Sequence, residues 1–98
     1  MAKEIIWSKR ALKDRFQILE YWINRNQSSS FSKKLDLIFL QKIKLLSLYP
    51  HIGKKTNFDS IRIKVVNNYL IFYEISETHI YILSIKDGRQ NPMEFKNI

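Results

Sequence analysis

Apolar residues in the first half of the chain recur every three or four positions, which is the spacing of an amphipathic helix. The pattern begins after Ser8, a residue type that commonly caps helix N-termini, and it predicts a helix from Lys9 to about Asn24. Lys9 and Lys13 belong to the polar side of this helix. The apolar stripe consists of Leu12, Phe16, Leu19 and Ile23, and it is widened by Ala11, Ile18 and Trp22.

A second helical pattern follows the polar stretch 24–30. We expect Ser30 to cap this helix, and we expect the helix to end near Leu48 because Tyr49 precedes Pro50 and a residue before proline avoids helical geometry. Since the link between the two patterns is short, the helices are predicted to form an antiparallel hairpin. The apolar positions of the second helix include Phe31, Leu35, Ile38, Phe39, Leu45 and Leu46.

The second half of the chain changes to the alternating pattern of β-strands. Ile61, Ile63 and Val65 are expected on one side of the first such strand, and Arg62 and Lys64 on the other. The short connections favour an antiparallel meander. The predicted strands are Lys3–Trp7 before the helices, then one from Ile61 to a turn at Asn67-Asn68, one over Tyr69–Ile75, and one over His79–Ile85 after a turn at Glu77-Thr78.

These elements predict an α+β fold in the order β-α-α-β-β-β. The helical hairpin is expected to pack on one face of a twisted antiparallel sheet, and residues 1–98 are expected to form a single domain. Residues 54–60 are predicted to be a loop, and residues 86–98 a loop or tail. The other face of the sheet is expected to stay partly open, so a binding or catalytic surface is expected there.

The charge of the chain is distributed unevenly. The formal net charge is +8, and residues 1–57 hold 12 Lys or Arg against 4 Asp or Glu. Such a basic surface favours a polyanion or an acidic protein as partner, although lysine-rich helices are also simply well solvated. The absence of cysteine excludes disulfides, thiolate zinc sites and thiol catalysis. No apolar stretch has the length of a signal peptide or a membrane span, so a cytoplasmic protein is expected.

Most familiar kinds of catalytic site have no counterpart in this sequence. His51 and His79 are far apart, which disfavours a zinc site, and Gly53 and Gly88 are the only glycines, which disfavours a phosphate-binding loop. We therefore expect no metal and no small-molecule cofactor. A conventional small-molecule enzyme is disfavoured for the same reasons.

One group of basic and aromatic residues could form a binding or catalytic site. Arg62 and Lys64 share one side of a strand, Tyr69 and Tyr73 alternate along the next, and Arg89 follows the last. Cations hold phosphates and rings stack on bases, so this group suits RNA or, with a lysine or histidine as proton acceptor, a metal-free ribonuclease site. The alternative is that the charges are only solvated and the rings only pack on neighbours.

Short motifs in a fixed order carry a family resemblance over nearly the whole chain. They are WSKRALKD at 7–14, ILEYW at 18–22, LYPHIG at 48–53, RIKV at 62–65, NYLIFYEI at 68–75 and ILSIKDGRQNP at 82–92. Together they resemble the RelE/ParE superfamily of type II toxins, often labelled plasmid stabilisation proteins. The resemblance implies the same element order and an antitoxin partner, encoded beside the toxin, whose tail wraps it and often fills a groove between helix and sheet.

The RelE-like branch of this superfamily cuts messenger RNA in the ribosomal A site. Its basic residues would correspond to Arg62, Lys64 and Arg89, which would then be catalytic. An arginine of that branch is replaced by Tyr69, and a tyrosine near the C-terminus by Phe95, whose ring cannot exchange protons. Two chemical groups of the nuclease are therefore missing.

The ParE-like branch inhibits DNA gyrase and lacks the nuclease set. By this resemblance the protein would be a growth-inhibiting toxin rather than an enzyme. The resemblance does not identify the residues that contact gyrase, and we expect Tyr69, Tyr73, Arg89 and Phe95 to contact the target. The long helical hairpin and Tyr69 favour this branch. A ribosome-dependent endoribonuclease and a degenerate member that acts only as an interaction protein remain as alternatives.

Overall fold

The predicted α+β class and element order are confirmed by the computed structural model of the chain, which describes residues 2–89. Two helices pack against a five-stranded sheet with the strand order β1-β5-β4-β3-β2. The elements are β1 (Glu4–Trp7), α1 (Lys9–Asn26), α2 (Ser30–Leu48), a short 3-10 helix (Pro50–Ile52), β2 (Lys54–Lys55), β3 (Ile61–Val66), β4 (Tyr69–Ile75) and β5 (His79–Asp87).

The sheet differs from the expected one at both of its edges. β3, β4 and β5 form the predicted antiparallel meander, but β1 pairs with β5 in parallel, with Glu4 opposite His79, so the sheet is mixed. At the other edge Lys54 and Lys55 pair with β3, within a stretch that the sequence predicted to be a loop. β2 has only two residues, too few to show an alternating pattern.

The main core lies between the helices and one face of the sheet. β4 contributes Tyr69, Ile71 and Tyr73 to this core, and α2 contributes Leu35 and Phe39. A smaller buried cluster of Ile63, Leu70 and Phe72 belongs to the alternate positions of β3 and β4, and therefore to the opposite face of the sheet.

The buried side of α1 is not its most regular apolar stripe. Ala11 is fully buried, and Ile18 and Trp22 pack against the core. Leu12 and Phe16 are exposed instead, with 70% of the Phe16 surface accessible. The residues that widen the predicted stripe therefore form the contact with the sheet.

Polar side chains fix the two helices to each other. Arg15 makes a bidentate ion pair with Asp36, with N–O distances of 2.7 and 2.8 Å. One turn further along α1, Ser32 Oγ donates to the carbonyl oxygen of Leu19 at 2.9 Å. These contacts set the antiparallel register of the hairpin. Within residues 2–89, neither helix combines the length and the apolar character needed to cross a membrane.

The helix ends differ slightly from the prediction. α1 continues to Asn26 and is closed by Gln27 in the left-handed region, φ 52°, whose N–H donates to the carbonyl of Ile23. Ser29, not Ser30, is the N-cap of α2, and its side chain makes no capping hydrogen bond. The run of three serines gave no local signal to separate these neighbouring positions.

The start of α1 is joined to an irregularity in β5. The pairing register shifts between Phe72 and Tyr73 of β4, which inserts an extra β5 residue at Leu83. Ser8 Oγ accepts from Ala11 N–H at 3.0 Å and donates to the carbonyl of Leu83 at 2.9 Å. Asp14 Oδ2 accepts from Ile85 N–H at 3.1 Å. Ser8 thus both caps the helix and bonds to the bulge residue, while Asp14 holds the β5 backbone just beyond the bulge.

Removing the Ser8 hydroxyl should destabilise the protein more than removing that of Ser29. We expect Ser8→Ala to lower the free energy of unfolding by about 1–2 kcal/mol, because the N-cap hydrogen bond and the bond to Leu83 are both lost. Ser29→Ala is the matched control, since this N-cap makes no side-chain hydrogen bond to its helix. Urea unfolding measures both; equal losses would contradict the double role of Ser8.

Candidate functional site

The basic and aromatic candidate residues lie on the helix-covered side of the sheet, not on the open side where a site was expected. Arg62 pairs with Tyr73 across β3 and β4, and Lys64 pairs with Ile71. Directly opposed residues share a face, and Tyr73 and Ile71 are fully buried in the main core. The alternation along β3 was predicted correctly, and its basic row lies on the helix-covered side of the sheet.

Arg62 and Tyr73 hold the segment that leads from α2 into β2. Arg62 Nη1 donates to the carbonyl oxygens of His51 and Gly53 at 3.0 and 2.9 Å. The Tyr73 hydroxyl donates to the carbonyl of Pro50 at 2.7 Å and accepts from Gly53 N–H at 3.0 Å. Arg62 therefore donates from Nη1 to two main-chain oxygens, whereas its buried Nε has no hydrogen-bond partner within residues 2–89.

Gly53 is required by this arrangement. A β-carbon at this position would lie 2.5 Å from the Tyr73 hydroxyl oxygen and 2.9 Å from the carbonyl oxygen of Ile63. Because one of these neighbours is backbone, the strand would have to move to admit any side chain. Packing against Tyr73 and β3 thus explains why the LYPHIG motif has a glycine at this position.

Tyr69 is also a packing residue. Only 5% of its surface is exposed, and its hydroxyl accepts a hydrogen bond from Trp22 Nε1 at 2.7 Å. Its ring meets Phe39 edge to face, with the centroids 5.5 Å apart. Burial raises the pKa of the Tyr69 phenol, and the bond from Trp22 only partly opposes that rise. Direct contact of Tyr69 and Tyr73 with a target, as the sequence suggested, is not supported by these positions.

Arg89 is the exposed member of the predicted set. It lies just after β5, where its backbone N–H and its Nε donate to Asp87 Oδ1 at 2.9 and 3.4 Å. This hydrogen bonding to Asp87 raises the pKa of the Arg89 guanidinium, to which Tyr69 and Tyr21 also contribute electrostatically. Arg89 therefore lies near the β4 start, while its predicted companion Phe95 is outside the described residues.

The predicted ribonuclease set is not brought together. Arg62 lies opposite Tyr73, and Arg89 follows the residue opposite Tyr69, so four residues of β4, about 13 Å, separate the two positions along the strand. Lys64 lies between them on the helix-covered side. Their shared side of the sheet was predictable, but a common phosphate contact is not formed.

A different group of aromatic and basic residues assembles around Trp22, and Arg89 lies close enough to Tyr21 to interact with it electrostatically. We call this group the aromatic–arginine cluster: Tyr21, Trp22, Arg25, Phe31 and Arg89. Trp22 meets Tyr21 and Phe31 edge to face, with centroid separations of 5.1 and 4.8 Å. The Arg25 guanidinium lies 5.8 Å from the Trp22 ring centroid, and its Nη1 donates to the Tyr21 hydroxyl at 3.4 Å.

Most of this cluster was not predicted from the sequence. Trp22 and Phe31 were assigned to apolar helix stripes, and Tyr21 and Arg25 were not singled out. Their spacing held a signal, because residues three and four apart on a helix are neighbours and Tyr21-Trp22 precede Arg25 by that distance. Arg89 is distant in sequence from the other members of the cluster, so local residue spacing could not predict that it belongs to the cluster.

The cluster is suited to binding rather than to proton transfer. Tyr21, Phe31 and Arg89 are exposed, and aromatic rings with arginine are the residue types that dominate protein–protein binding energies. Among residues 2–89, no three His, Cys, Asp or Glu side chains group closely enough to hold a metal. His79 is engaged elsewhere, between Thr78 and Glu4 at 2.5 and 3.1 Å.

Comparison with known proteins identifies the family. The family model described as "ParE toxin of type II toxin-antitoxin system, parDE" matches residues 5–92. The chain belongs to the ParE toxin family. The resemblance to the RelE/ParE superfamily is thereby confirmed, and the protein is a toxin of a type II toxin-antitoxin system.

A solved structure shares the fold of this ParE-family toxin. The chain is similar to a chain from the "Chromosomal ParDE TA system from P. aeruginosa", with a TM-score of 0.75 and 14% identity. The superposition covers 88% of this chain and 96% of that one. At this identity the likeness extends to the fold alone. No curated protein matches the chain.

Within this ParE-family toxin, the Tyr73 hydroxyl should contribute measurably to stability. Tyr73→Phe leaves the buried Gly53 N–H without its acceptor, so we expect the free energy of unfolding to fall by about 1–3 kcal/mol. Tyr49→Phe is the control, because Tyr49 is exposed and its hydroxyl makes no hydrogen bond within residues 2–89. Denaturant unfolding measures both variants. An unchanged unfolding midpoint for Tyr73→Phe would show that the Tyr73 hydroxyl has no structural role.

The raised pKa values of Tyr69 and Tyr73 predict alkaline destabilisation. Above about pH 10 the unfolded chain releases its tyrosine protons before the folded protein does, so it binds fewer protons and stability falls as pH rises. Tyr69→Phe removes one such group. We expect a shallower loss of unfolding free energy between about pH 9 and about pH 11 than in wild type. Equal slopes would show that burial of this phenol has no energetic consequence.

Proposed function

We propose that this toxin arrests growth by binding DNA gyrase, and that a cognate antitoxin holds it inactive. The observation that carries the proposal is that the ParE family is matched while the candidate nuclease residues are occupied elsewhere. The guanidinium of Arg62 is bound to two carbonyls, and Tyr69 is buried against Trp22. Both gyrase and an antitoxin are cytoplasmic partners, so the proposal places the toxin in the cytoplasm.

The electrostatic requirements of RNA cleavage argue in the same direction. A metal-free nuclease needs cations close to one phosphate and a group that exchanges protons. Arg62 and Arg89 are separated by about four residues of strand, and Arg89 pairs with Asp87. These residues do not form a phosphate site, so binding is the better supported activity.

The aromatic–arginine cluster is the proposed contact with gyrase. Tyr21 and Phe31 present exposed rings, while Trp22 beneath them is fixed by Tyr69. Rigid rings on a supported surface bind with little loss of conformational entropy. The arginines Arg25 and Arg89 add positive charge beside the rings, which favours an acidic patch on the target.

A supercoiling assay with two matched variants tests the proposal. Arg89 and Arg10 are both exposed arginines that pair with an aspartate, at 3.4 and 3.2 Å. We expect the wild-type toxin to inhibit purified gyrase, and Arg89→Ala to raise the half-inhibitory concentration about tenfold, as for loss of a hot-spot contact. Arg10→Ala should leave inhibition unchanged, because Arg10 lies outside the cluster.

Mapping of RNA ends in cells expressing the toxin separates the two mechanisms. The gyrase proposal predicts induction of the DNA-damage response with intact messages. Messages cut at codon boundaries, together with normal supercoiling, would establish the RelE-like nuclease instead. Equal inhibition by Arg89→Ala and Arg10→Ala would retain gyrase as the target but exclude the cluster as its contact.

A further inference from the structure

The face of the sheet that turns away from the helices has a buried centre that neither helix covers. Ile63, Leu70 and Phe72 form its apolar cluster, and each is only 5–8% exposed. α1 and α2 pack on the other face, and the partly buried apolar residue that packs against this cluster is Leu83 of β5. A single sheet layer leaves the outer side of its large side chains in water, so an exposure this low indicates a second layer.

The covering of this face is local. Val65 lies directly opposite Leu70 across β3 and β4 and shares its face, yet Val65 is 42% exposed. Phe58, in the loop before β3, is exposed as well and contributes little to the cover. The segment that shields Leu70 and Phe72 therefore lies over β4, in the middle of the sheet.

The described part of the chain ends close to this cluster. Leu70 and Phe72 lie opposite Lys86 and Ser84 of β5. These two β5 residues precede Arg89 by three and five positions, which is about 10 and about 17 Å along a strand. A segment that starts at Arg89 and turns back needs only a few residues to reach the cluster.

The chain changes direction where β5 ends. Gly88 N–H donates to the carbonyl of Asn68 at 2.8 Å, beside the turn between β3 and β4. Arg89 N–H then donates to Asp87 Oδ1 at 2.9 Å, which is the hydrogen bond of an Asx turn. Pro92 follows three residues later and lacks the N–H that a continuing strand needs. The following segment is therefore directed away from the path of β5.

Residues 90–98 have the length and the composition of a covering segment. Met93 and Phe95 alternate with Glu94 and Lys96, which is the pattern of an extended chain with one apolar side. Met93 is four residues after Arg89, and Phe95 is six residues after it. With one residue spent on the reversal, these separations match the three and five positions that lead back along β5 to the cluster.

We propose that residues 90–98 fold back over the sheet and bury Met93 against Leu70 and Phe95 against Phe72. The face that was expected to stay open is then closed by the end of the chain itself. Phe95 is in this case a core residue and is not available to a target. The inference does not depend on gyrase, because the aromatic–arginine cluster is built around α1, on the helix-covered side of the sheet.

Other occupants of this face have less support. A second copy of the chain carries the same formal charge of +8, so its association is opposed by charge repulsion. A separate protein partner would meet a patch whose centre has already lost nearly all of its accessible surface.

Nuclear Overhauser effects in the full-length toxin test the contact directly. With labelled methyl groups, we expect cross-peaks from the Phe95 ring to the Phe72 ring and from the Met93 methyl group to the methyl groups of Leu70. Ile71 is the internal control, because it is fully buried in the main core on the opposite face. Absence of the expected cross-peaks, or cross-peaks from Phe95 to Ile71, would overturn the inference.

Two phenylalanines outside the helices give matched variants. We expect Phe95→Ser to raise the unfolding equilibrium constant in urea about tenfold or more and to increase the binding of an apolar fluorescent dye. Phe58→Ser should change neither, because the Phe58 ring is already exposed. Equal effects of the two substitutions would show that Phe95 is no more buried than Phe58.

A double-mutant cycle separates direct contact from a general loss of stability. We expect Phe95→Ser and Phe72→Leu to be non-additive in the free energy of unfolding, because the two rings touch. Phe95→Ser and Ile71→Val should be additive, since Ile71 belongs to the other face. Additivity of both pairs would contradict the contact. A concentration-dependent dimer in sedimentation that Phe72→Leu abolishes would identify a second copy as the cover instead.

Discussion

The register between β3 and β4 determines what every candidate residue can do. Tyr69, Ile71 and Tyr73 of β4 face the helices, and pairing then places Arg62 and Lys64 on the same side. A slip of one residue would exchange the two faces and bring Arg62 to the side of the sheet that faces away from the helices. The buried hydrogen bonds of Tyr73 with Gly53 and Pro50 specify this register, since no other side chain of β4 presents a hydroxyl at that point.

The sequence predicted the alternation along β3 and β4 but not the direction in which each row points. Both rows are apolar enough to be buried: Ile63, Leu70 and Phe72 are covered on one face, as Ile71 and Tyr73 are on the other. Alternation separates two such rows but does not show which of them faces the helices. The packing of α1 and α2 determines which row faces the helices, and this packing depends on contacts between residues far apart in the sequence.

The same limit explains the remaining differences between expectation and structure. The parallel pairing of β1 with β5 joins residues some 75 positions apart, and β2 is too short to have a pattern of its own. In α1, the regular stripe headed by Leu12 and Phe16 was taken as the packing side, yet Ala11 is the buried residue there. A small residue at the sheet contact lets the helix approach closely, and a stripe of large residues then remains outside.

Arg62 illustrates that a residue type at a given position does not by itself determine how its charge is used. Residues of this kind serve phosphate chemistry in the RelE-like branch that the sequence resembles, whereas here the guanidinium joins the carbonyls of His51 and Gly53 to the sheet. Motif matching compares residue types and does not show which acceptors the side-chain donors bind. The hydrogen-bond partners supply that information.

The attachment of Ser8 and Asp14 to β5 has a consequence for synthesis of the protein. Their partners, Leu83 and Ile85, lie more than seventy residues later in the chain. As the ribosome extends the polypeptide from its N-terminus, both helices emerge before the strand that anchors the first of them. The start of α1 therefore lacks the partners that anchor it to the sheet until β5 has been synthesised.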